Sequence, residues 1–319
     1  METRQLGTSS IQITPIMMGT WQAGKSMWVG IEDTDTIAAI RAAFEAGVTT
    51  IDTAAVYGQG HSERIVAKAL SDVRDRVVYA TKVFANQLKY DQVIAACEGS
   101  LKNLDTDYID LYQIHWPAGS FNSEVVPIEE TMRALNQLKA EGKIRAIGVS
   151  NFSGEQLAEA AQYGRIDSLQ PPYSLFWRKV EQDAAPYCLE HNISILAYSP
   201  LAQGLLTGKF APGHQFAPSD NRFKNKLFQP ENFERAQQAL DRLRPIADRR
   251  QISLGNLALA WLIAQPQTNA IVGARNAEQS VENAKAASIK LSAEELAEID
   301  AIGQIVTAPM DNHPILWNW

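Results

Sequence analysis

Short β-branched or apolar runs alternate along the chain with longer stretches of helical period. The pattern predicts strands near 16–21, 49–54, 77–83, 108–115, 144–150, 168–174, 194–199 and 269–273, each giving way to a helix. Such alternation means parallel strands joined by crossover helices. An open doubly wound sheet would show the same rhythm, but eight units with no composition break near the middle favour a closed TIM (β/α)8 barrel spanning residues 1–319 as one domain. Ahead of the first strand, Thr3–Leu6 and Ile11–Thr14 flank Gly7-Thr8-Ser9-Ser10, a hairpin pattern that would plug the barrel floor.

Two regions break the rhythm. The segment from Ala202 to Pro230 is longer than an ordinary connection and carries Lys209, Arg222, Lys224 and Lys226 among Gly204, Gly208 and Gly213. It reads as a mobile, basic lid over a phosphate-bearing ligand, against the plainer reading of a solvated loop. The tail from Thr307 to Trp319 ends Ile315-Leu316-Trp317-Asn318-Trp319, too apolar to stay in water, so it should pack on the barrel near its mouth.

The 319 residues, 45% of them apolar, are enough for one barrel with insertions. A formal charge of −7 with no basic block argues against a nucleic-acid partner. Cys97 and Cys188 lack metal or disulfide spacing. Residues 1–10 do not resemble a signal peptide, and no apolar run approaches the roughly 18 residues of a membrane span, so no membrane association and a cytoplasmic location are expected.

Polar residues that end apolar barrel strands point at the active-site face. Asp52 follows Val48-Thr49-Thr50-Ile51, Lys82 follows Val77 to Thr81, and His115 follows Tyr108 to Ile114; Tyr57 lies just past Asp52 in Tyr57-Gly58. Taken singly, each has an ordinary structural reading as a helix cap, a turn or a satisfied core residue. Together, on neighbouring strands, they form an acid–base set: a Lys cation would lower the pKa of the Tyr phenol, Asp would hold the Lys, and His would orient a substrate oxygen. A metal-dependent hydrolase built on Asp52 and His115 is disfavoured, because no third ligand lies at recognisable spacing and His61 with Glu63 reads as helix-start polarity. Metal is not expected.

Asp52-Thr53-Ala54-Ala55-Val56-Tyr57-Gly58, Lys82 and His115 resemble the catalytic tetrad of the aldo-keto reductase family. So do Leu104 to Leu111, Gly148-Val149-Ser150-Asn151, Tyr198-Ser199-Pro200-Leu201 through Lys209, and Gly273-Ala274-Arg275 with Gln279, Glu282 and Asn283; Ala67 departs from the Gly common at that position. The resemblance covers essentially the whole chain. It implies reduction of an aldehyde or ketone by NADPH, with hydride from nicotinamide C4 and a proton from Tyr57. It further implies that Ser150, Asn151 and Gln170 hold the carboxamide, that Tyr198 stacks on the nicotinamide, and that Ser199, Pro200, Leu201, Ala202, Gln203, Gly204 and Lys209 follow the pyrophosphate. Gly19, Thr20, Trp21, Asp52, Arg222 and Gly273 complete the expected cofactor contacts.

No Gly-x-Gly-x-x-Gly follows a strand, so the cofactor is not bound in the Rossmann manner. Arg275, just past the eighth strand, suits the 2′-phosphate of NADPH, and Gln279, Glu282 and Asn283 share the next helix face toward the adenine. Trp21, Tyr57, Phe84, His115, Trp116 and, from the tail, Trp317 are expected to line the substrate pocket. The expected partner is a small carbonyl compound and the simplest assembly a monomer. Some proteins of this family, the potassium-channel β subunits, dock to a channel, which leaves an NADPH-binding regulatory or redox-sensing subunit with slow turnover as the second reading.

Overall fold

A computed structural model describes residues 1–26, 28, 30–218, 220–311 and 315–316. Eight parallel strands close into a barrel: β1 (Ile16–Gly19), β2 (Thr50–Asp52), β3 (Val78–Val83), β4 (Ile109–Ile114), β5 (Ile144–Ser150), β6 (Ser168–Gln170), β7 (Ser194–Ala197) and β8 (Thr268–Gly273), with β8 pairing both β7 and β1. Helices α1 (Asp33–Glu45), α2 (His61–Leu70), α3 (Tyr90–Leu104), α4 (Ile128–Ala140), α5 (Gly154–Ala161), α6 (Ala184–Glu190), α7 (Pro230–Arg250), α8 (Leu254–Ile263), α9 (Ala277–Lys285) and α10 (Ala293–Thr307) follow in chain order. Every predicted strand exists. The sixth is shorter than the predicted 168–174 because Pro171 and Pro172 have no N–H to continue the ladder, and only an isolated bridge from Pro172 to Tyr198 prolongs it.

Period-2 alternation divides the apolar residues between two cores. Met17, Ala80, Leu111, Ala146, Leu196 and Ile271 point inward and pack with Leu6, Ile11 and Ile13, whereas the larger cluster joins the outward strand faces to the helices. Leu6, Ile11 and Ile13 belong to the N-terminal hairpin, whose strands Arg4–Gln5 and Gln12–Ile13 pair antiparallel. Gly7 N–H donates to Ser194 Oγ (2.8 Å) at the start of β7, so the hairpin closes the strand N-termini as predicted. Toward the strand C-termini the inward positions turn polar on β2, β3, β4 and β6 and to glycine on β1, β5 and β8, and that change of layer creates the site.

The 202–230 segment is more built than a mobile loop. It winds through 3-10 turns at Ala202–Thr207, Asn221–Lys224 and Lys226–Phe228, and Phe210, Phe216 and Phe228 pack ring to ring at 4.8–5.6 Å. The tail returns to it: Lys226 N–H donates to the Leu316 carbonyl (2.9 Å) and Leu316 is buried. Trp317 lies outside the described residues.

Candidate active site

Two residues beyond Ala80, Leu111 and Ala146 on their strands come Lys82, Gln113 and Gly148, and Asp52 and Gln170 join them from β2 and β6. Lys82 is fully buried, and its Nζ donates to Asp52 Oδ1 (2.7 Å) and to the Thr53 carbonyl (2.7 Å). Gln170 Nε2 donates to Asp52 Oδ2 (2.9 Å). The buried ion pair is thus satisfied on both oxygens, the condition under which buried charges are tolerated.

Tyr57 stands above this layer. Its ring centroid is 5.2 Å from Lys82 Nζ, 5.7 Å from the His115 ring edge-on and 6.5 Å from Trp21. Two glycines set its loop. Gly58 has φ +61, and a Cβ on it would lie 2.5 Å from the Gly24 carbonyl oxygen; a Cβ on Gly24 would meet the Tyr57 carbonyl carbon at 2.7 Å. The loops after β1 and β2 therefore touch backbone to backbone, which only glycine permits.

From sequence, Lys82 is expected to lower the Tyr57 pKa. The net direction is the opposite: burial first, then the charges of Asp52 and Tyr198, hold it well above the usual phenol value. Lys82, held between Asp52 and the Thr53 carbonyl, does not offset that burial, and burial pulls its own pKa down despite Asp52. Tyr57 is consequently a protonated phenol at neutral pH. His115 is pushed well below the ordinary imidazole value by burial and by Lys82, so it is a neutral ring.

A cavity of about 1000 Å³ opens over these residues and runs from the aromatic side of the mouth to the β8–α9 connection. Nearly all of the expected contacts line it: Gly19, Trp21, Asp52, Ser150, Asn151, Gln170, Tyr198, Ser199, Pro200, Leu201, Gln203, Gly204, Lys209, Arg222, Gly273, Arg275, Gln279, Glu282 and Asn283, with Tyr57, Phe84, His115 and Trp116. Two do not. Thr20 is buried and its hydroxyl donates to the Asp52 carbonyl (3.0 Å), while Ala202 packs into the outer core, so both support the wall from behind. Lys82 likewise lies beneath the cavity surface, bonded to Asp52.

Asn151, Ser199 and Gln203 have left-handed φ of +63, +53 and +54, and all three line the cavity. Such backbone strain concentrates at functional sites. Asn151 Nδ2 donates to the His115 carbonyl (3.0 Å), and the Tyr198 hydroxyl donates to Asn151 Oδ1 (2.9 Å), tying the ends of β4, β5 and β7 together.

At the far end the walls turn basic. Burial lowers the pKa of Lys209, with Arg222 and Arg275 adding to the effect. Arg222 is engaged by Asp220 through Nε (2.8 Å) and Nη2 (2.5 Å). Among the described residues, Lys209 and Arg275 have no carboxylate partner. Two unneutralised cations at a cavity end suit an anion. Glu282 faces inward too, but it is occupied by Asn256 Nδ2 (2.7 Å), Ser253 Oγ (3.0 Å) and Lys285 (2.8 Å).

Sequence reasoning missed several lining residues, including Gln22, Trp28, Val56, Phe121 and Asn256. Phe121 stacks on Phe84 (5.5 Å) and meets Trp116 edge-on (5.1 Å), and Trp28 meets Trp21 edge-on (5.3 Å). None of these ends a strand. Only the long gaps before α1 and α4 signalled that those connections do more than join elements. His61, set aside as helix-start polarity, shares Asp33 Oδ1 with Lys25, each at 2.9 Å.

An eight-stranded parallel barrel with a buried Asp–Lys pair, a protonated Tyr and a neutral His around one cavity at its C-terminal face is an arrangement suited to acid–base chemistry. The chain belongs to the aldo/keto reductase family, whose sequence model matches residues 15–304. It is 39% identical over 314 residues to aldo-keto reductase YhdN of Bacillus subtilis, covering 95% of this chain and 93% of that one. It is 36% identical to the NADH-specific methylglyoxal reductase of Escherichia coli, covering 92% and 95%. An aldo-keto reductase from Klebsiella pneumoniae in complex with NADPH superposes with a TM-score of 0.77 at 32% identity, covering 100% of this chain and 99% of that chain. The protein is an oxidoreductase of this family. Among the described residues no helix is long and apolar enough to cross a membrane.

Proposed function

We propose that the chain reduces an aldehyde or ketone to an alcohol with NADPH, and that Tyr57 supplies the proton. The observation that carries this reading is the continuity of one cavity from Tyr57 and His115 to Lys209 and Arg275, cations that have no carboxylate partner among the described residues. The residues fit a phosphorylated dinucleotide: cations lie at one end, and hydrogen-bonding side chains at Ser150, Asn151 and Gln170 lie at the other. The NADPH complex of the Klebsiella relative supports the same cofactor, whereas the NADH-specific relative makes Arg275 and Lys209 the residues to test.

When bound, the reduced nicotinamide supplies the hydride. The Tyr57 hydroxyl donates its proton to the carbonyl oxygen as negative charge develops there. Because the phenol is held protonated, it is ready as an acid at neutral pH, and Lys82 offsets the phenolate that remains. Asp52 keeps Lys82 charged and in place. His115, neutral and beside Tyr57, orients the carbonyl oxygen by hydrogen bonding rather than by charge. Trp21, Trp116, Phe84 and Phe121 exclude water from the reacting end.

The test follows NADPH absorbance with a panel of small aldehydes. Wild type should turn over, and Tyr57→Phe should lose about 10²–10⁴ in kcat while keeping NADPH affinity. Undiminished turnover by Tyr57→Phe would overturn the assignment of the acid.

A further inference from the structure

Gln113 does not line the cavity, yet it is fully buried in the polar layer. It lies on β4 between Leu111, which packs in the apolar floor of the barrel, and His115 at the mouth. A leucine there would simply extend the apolar floor. The amide is instead fitted with care. A Cβ on Gly148, its register partner on β5, would stand 2.3 Å from Ser168 Oγ and 2.9 Å from Gln113 Cγ, so Gly148 leaves room that these two side chains share.

The amide makes two contacts. Its Nε2 donates to Asp52 Oδ2 at 3.4 Å, and its Oε1 accepts from Gln170 Nε2 at 3.3 Å. Both are long for N–H···O bonds, whereas Gln170 Nε2 reaches the same Asp52 oxygen at 2.9 Å. Two amides therefore converge on one carboxylate oxygen, one closely and one at the limit of bonding. Their surroundings differ: Gln170 lines the cavity and Gln113 does not. An acceptor bound in the cavity competes with Asp52 for the Gln170 N–H groups and has no access to Gln113.

We propose that Gln113 is a positioning residue, the reserve donor that holds Asp52 when a cavity ligand draws Gln170 away. It thereby keeps the Asp52–Lys82 pair set beneath Tyr57 in the loaded enzyme. The inference rests on the reading of Tyr57 as proton donor and of Gln170 as a contact to the cofactor amide. It assigns the second amide of the layer a role in the chemical step, distinct from packing. A buried carboxylate oxygen that loses its donor is costly, because water does not replace it there. The contact is accordingly shortest when Gln170 is engaged elsewhere.

The experiment uses the full chain with NADP⁺ and NADPH. In Gln113→Met, which keeps length and removes the donor, kcat for the best aldehyde should fall about tenfold, the size of one hydrogen bond to a charged group. The NADPH Kd from fluorescence titration and the substrate KM should stay within about twofold. The solvent deuterium isotope effect on kcat should rise as proton transfer becomes limiting, a change that a packing defect does not cause. Independently of turnover, the side-chain ¹⁵N–¹H₂ signal of Gln113, assigned by its loss in Gln113→Met, should shift when NADP⁺ is added to wild type. If the Met variant does not fold, Gln113→Leu carries the same expectations.

An unchanged kcat would overturn the proposal, as would an unmoved Gln113 amide signal on NADP⁺ binding. A parallel decline of kcat, cofactor affinity and thermal midpoint would make Gln113 a packing residue. Failure of the underlying reading has its own signature: Tyr57→Phe would then remain active whatever Gln113 does.

Discussion

Replacing Asp52 by Asn tests the buried pair on which the site is built. The side chains of Lys82 and Asp52 are 0% and 4% exposed, so neither charge has water to fall back on. Asp52 accepts on both oxygens, from Lys82 on Oδ1 and from Gln170 and Gln113 on Oδ2. An asparagine has one acceptor. Whichever way its amide is turned, an N–H faces either the ammonium or the two glutamine donors, and the lysine charge is left without a counter-ion. Removing one partner of a buried pair costs about 3–5 kcal/mol. With unfolding entropy near 2.1 cal/mol/K per residue, that corresponds to a fall of about 4–8 °C in thermal midpoint for a chain of this length.

The sign of the pH dependence follows from Lys82. Burial already lowers its folded pKa, and Asp52 is the main group opposing that shift. Without Asp52 the folded pKa drops further below the unfolded value, so the unfolded chain binds more protons over that interval. Stability of Asp52→Asn therefore rises with pH through the window, and the deficit against wild type is largest below the folded Lys82 pKa. Urea unfolding of both proteins at pH 6.5 and 9.5 should show the deficit shrinking by more than about 1 kcal/mol, roughly one pKa unit of differential protonation. A deficit that is constant with pH, or below about 1 kcal/mol throughout, would refute the argument that an uncompensated lysine charge is its source.

Arg275→Ala should weaken NADPH about 10–100-fold and leave NADH within twofold, measured by fluorescence titration, because only the phosphorylated cofactor uses that cation; equal losses would place the phosphate elsewhere. Since His115 is held well below the ordinary imidazole pKa, kcat/KM for aldehyde reduction should show no limb near pH 6.5, and an inflection there that disappears in His115→Asn would contradict a neutral ring. Far from the chemistry, Arg74 lies 3.9 Å from the Tyr108 ring centroid, 4.2 Å from that of Tyr79 and 2.9 Å from Asp110, which is buried. Arg74→Ala should cost about 2–4 kcal/mol in urea unfolding with kcat unchanged.

The fold was legible because its information is periodic. Alternation on the strands, amphipathic helices and a glycine-bearing hairpin are local patterns, and the barrel merely sums them. Asp52, Lys82 and His115 were legible for a related reason: a polar residue ending an apolar strand is anomalous against its own neighbours. Tyr57 came with them only through its closeness in sequence to Asp52.

The direction of the Tyr57 pKa was not legible. It is set first by burial of the phenol and then by the charges of Asp52 and Tyr198, and how deeply a loop residue is buried has no signature in sequence. Gln113 illustrates the same limit. In Tyr108-Ile109-Asp110-Leu111-Tyr112-Gln113-Ile114 it is one polar residue among several, and Asp110, equally polar, turns out to bind Arg74 and Arg145. What separates the two is first face and then layer: period 2 turns Asp110 outward to Arg74 and Arg145, whereas Gln113 faces inward like Leu111 and lies two residues beyond it. A residue's layer is fixed by strand register around a closed barrel, and register is a property of eight strands at once. The same reasoning explains why Phe121 and Trp28 were missed while Phe84 and Trp116 were found. The latter inherit their place from the strands they follow, and the former owe theirs to loop paths with backbone angles such as the +57 φ of Phe121 that no propensity argument assigns to an aromatic residue.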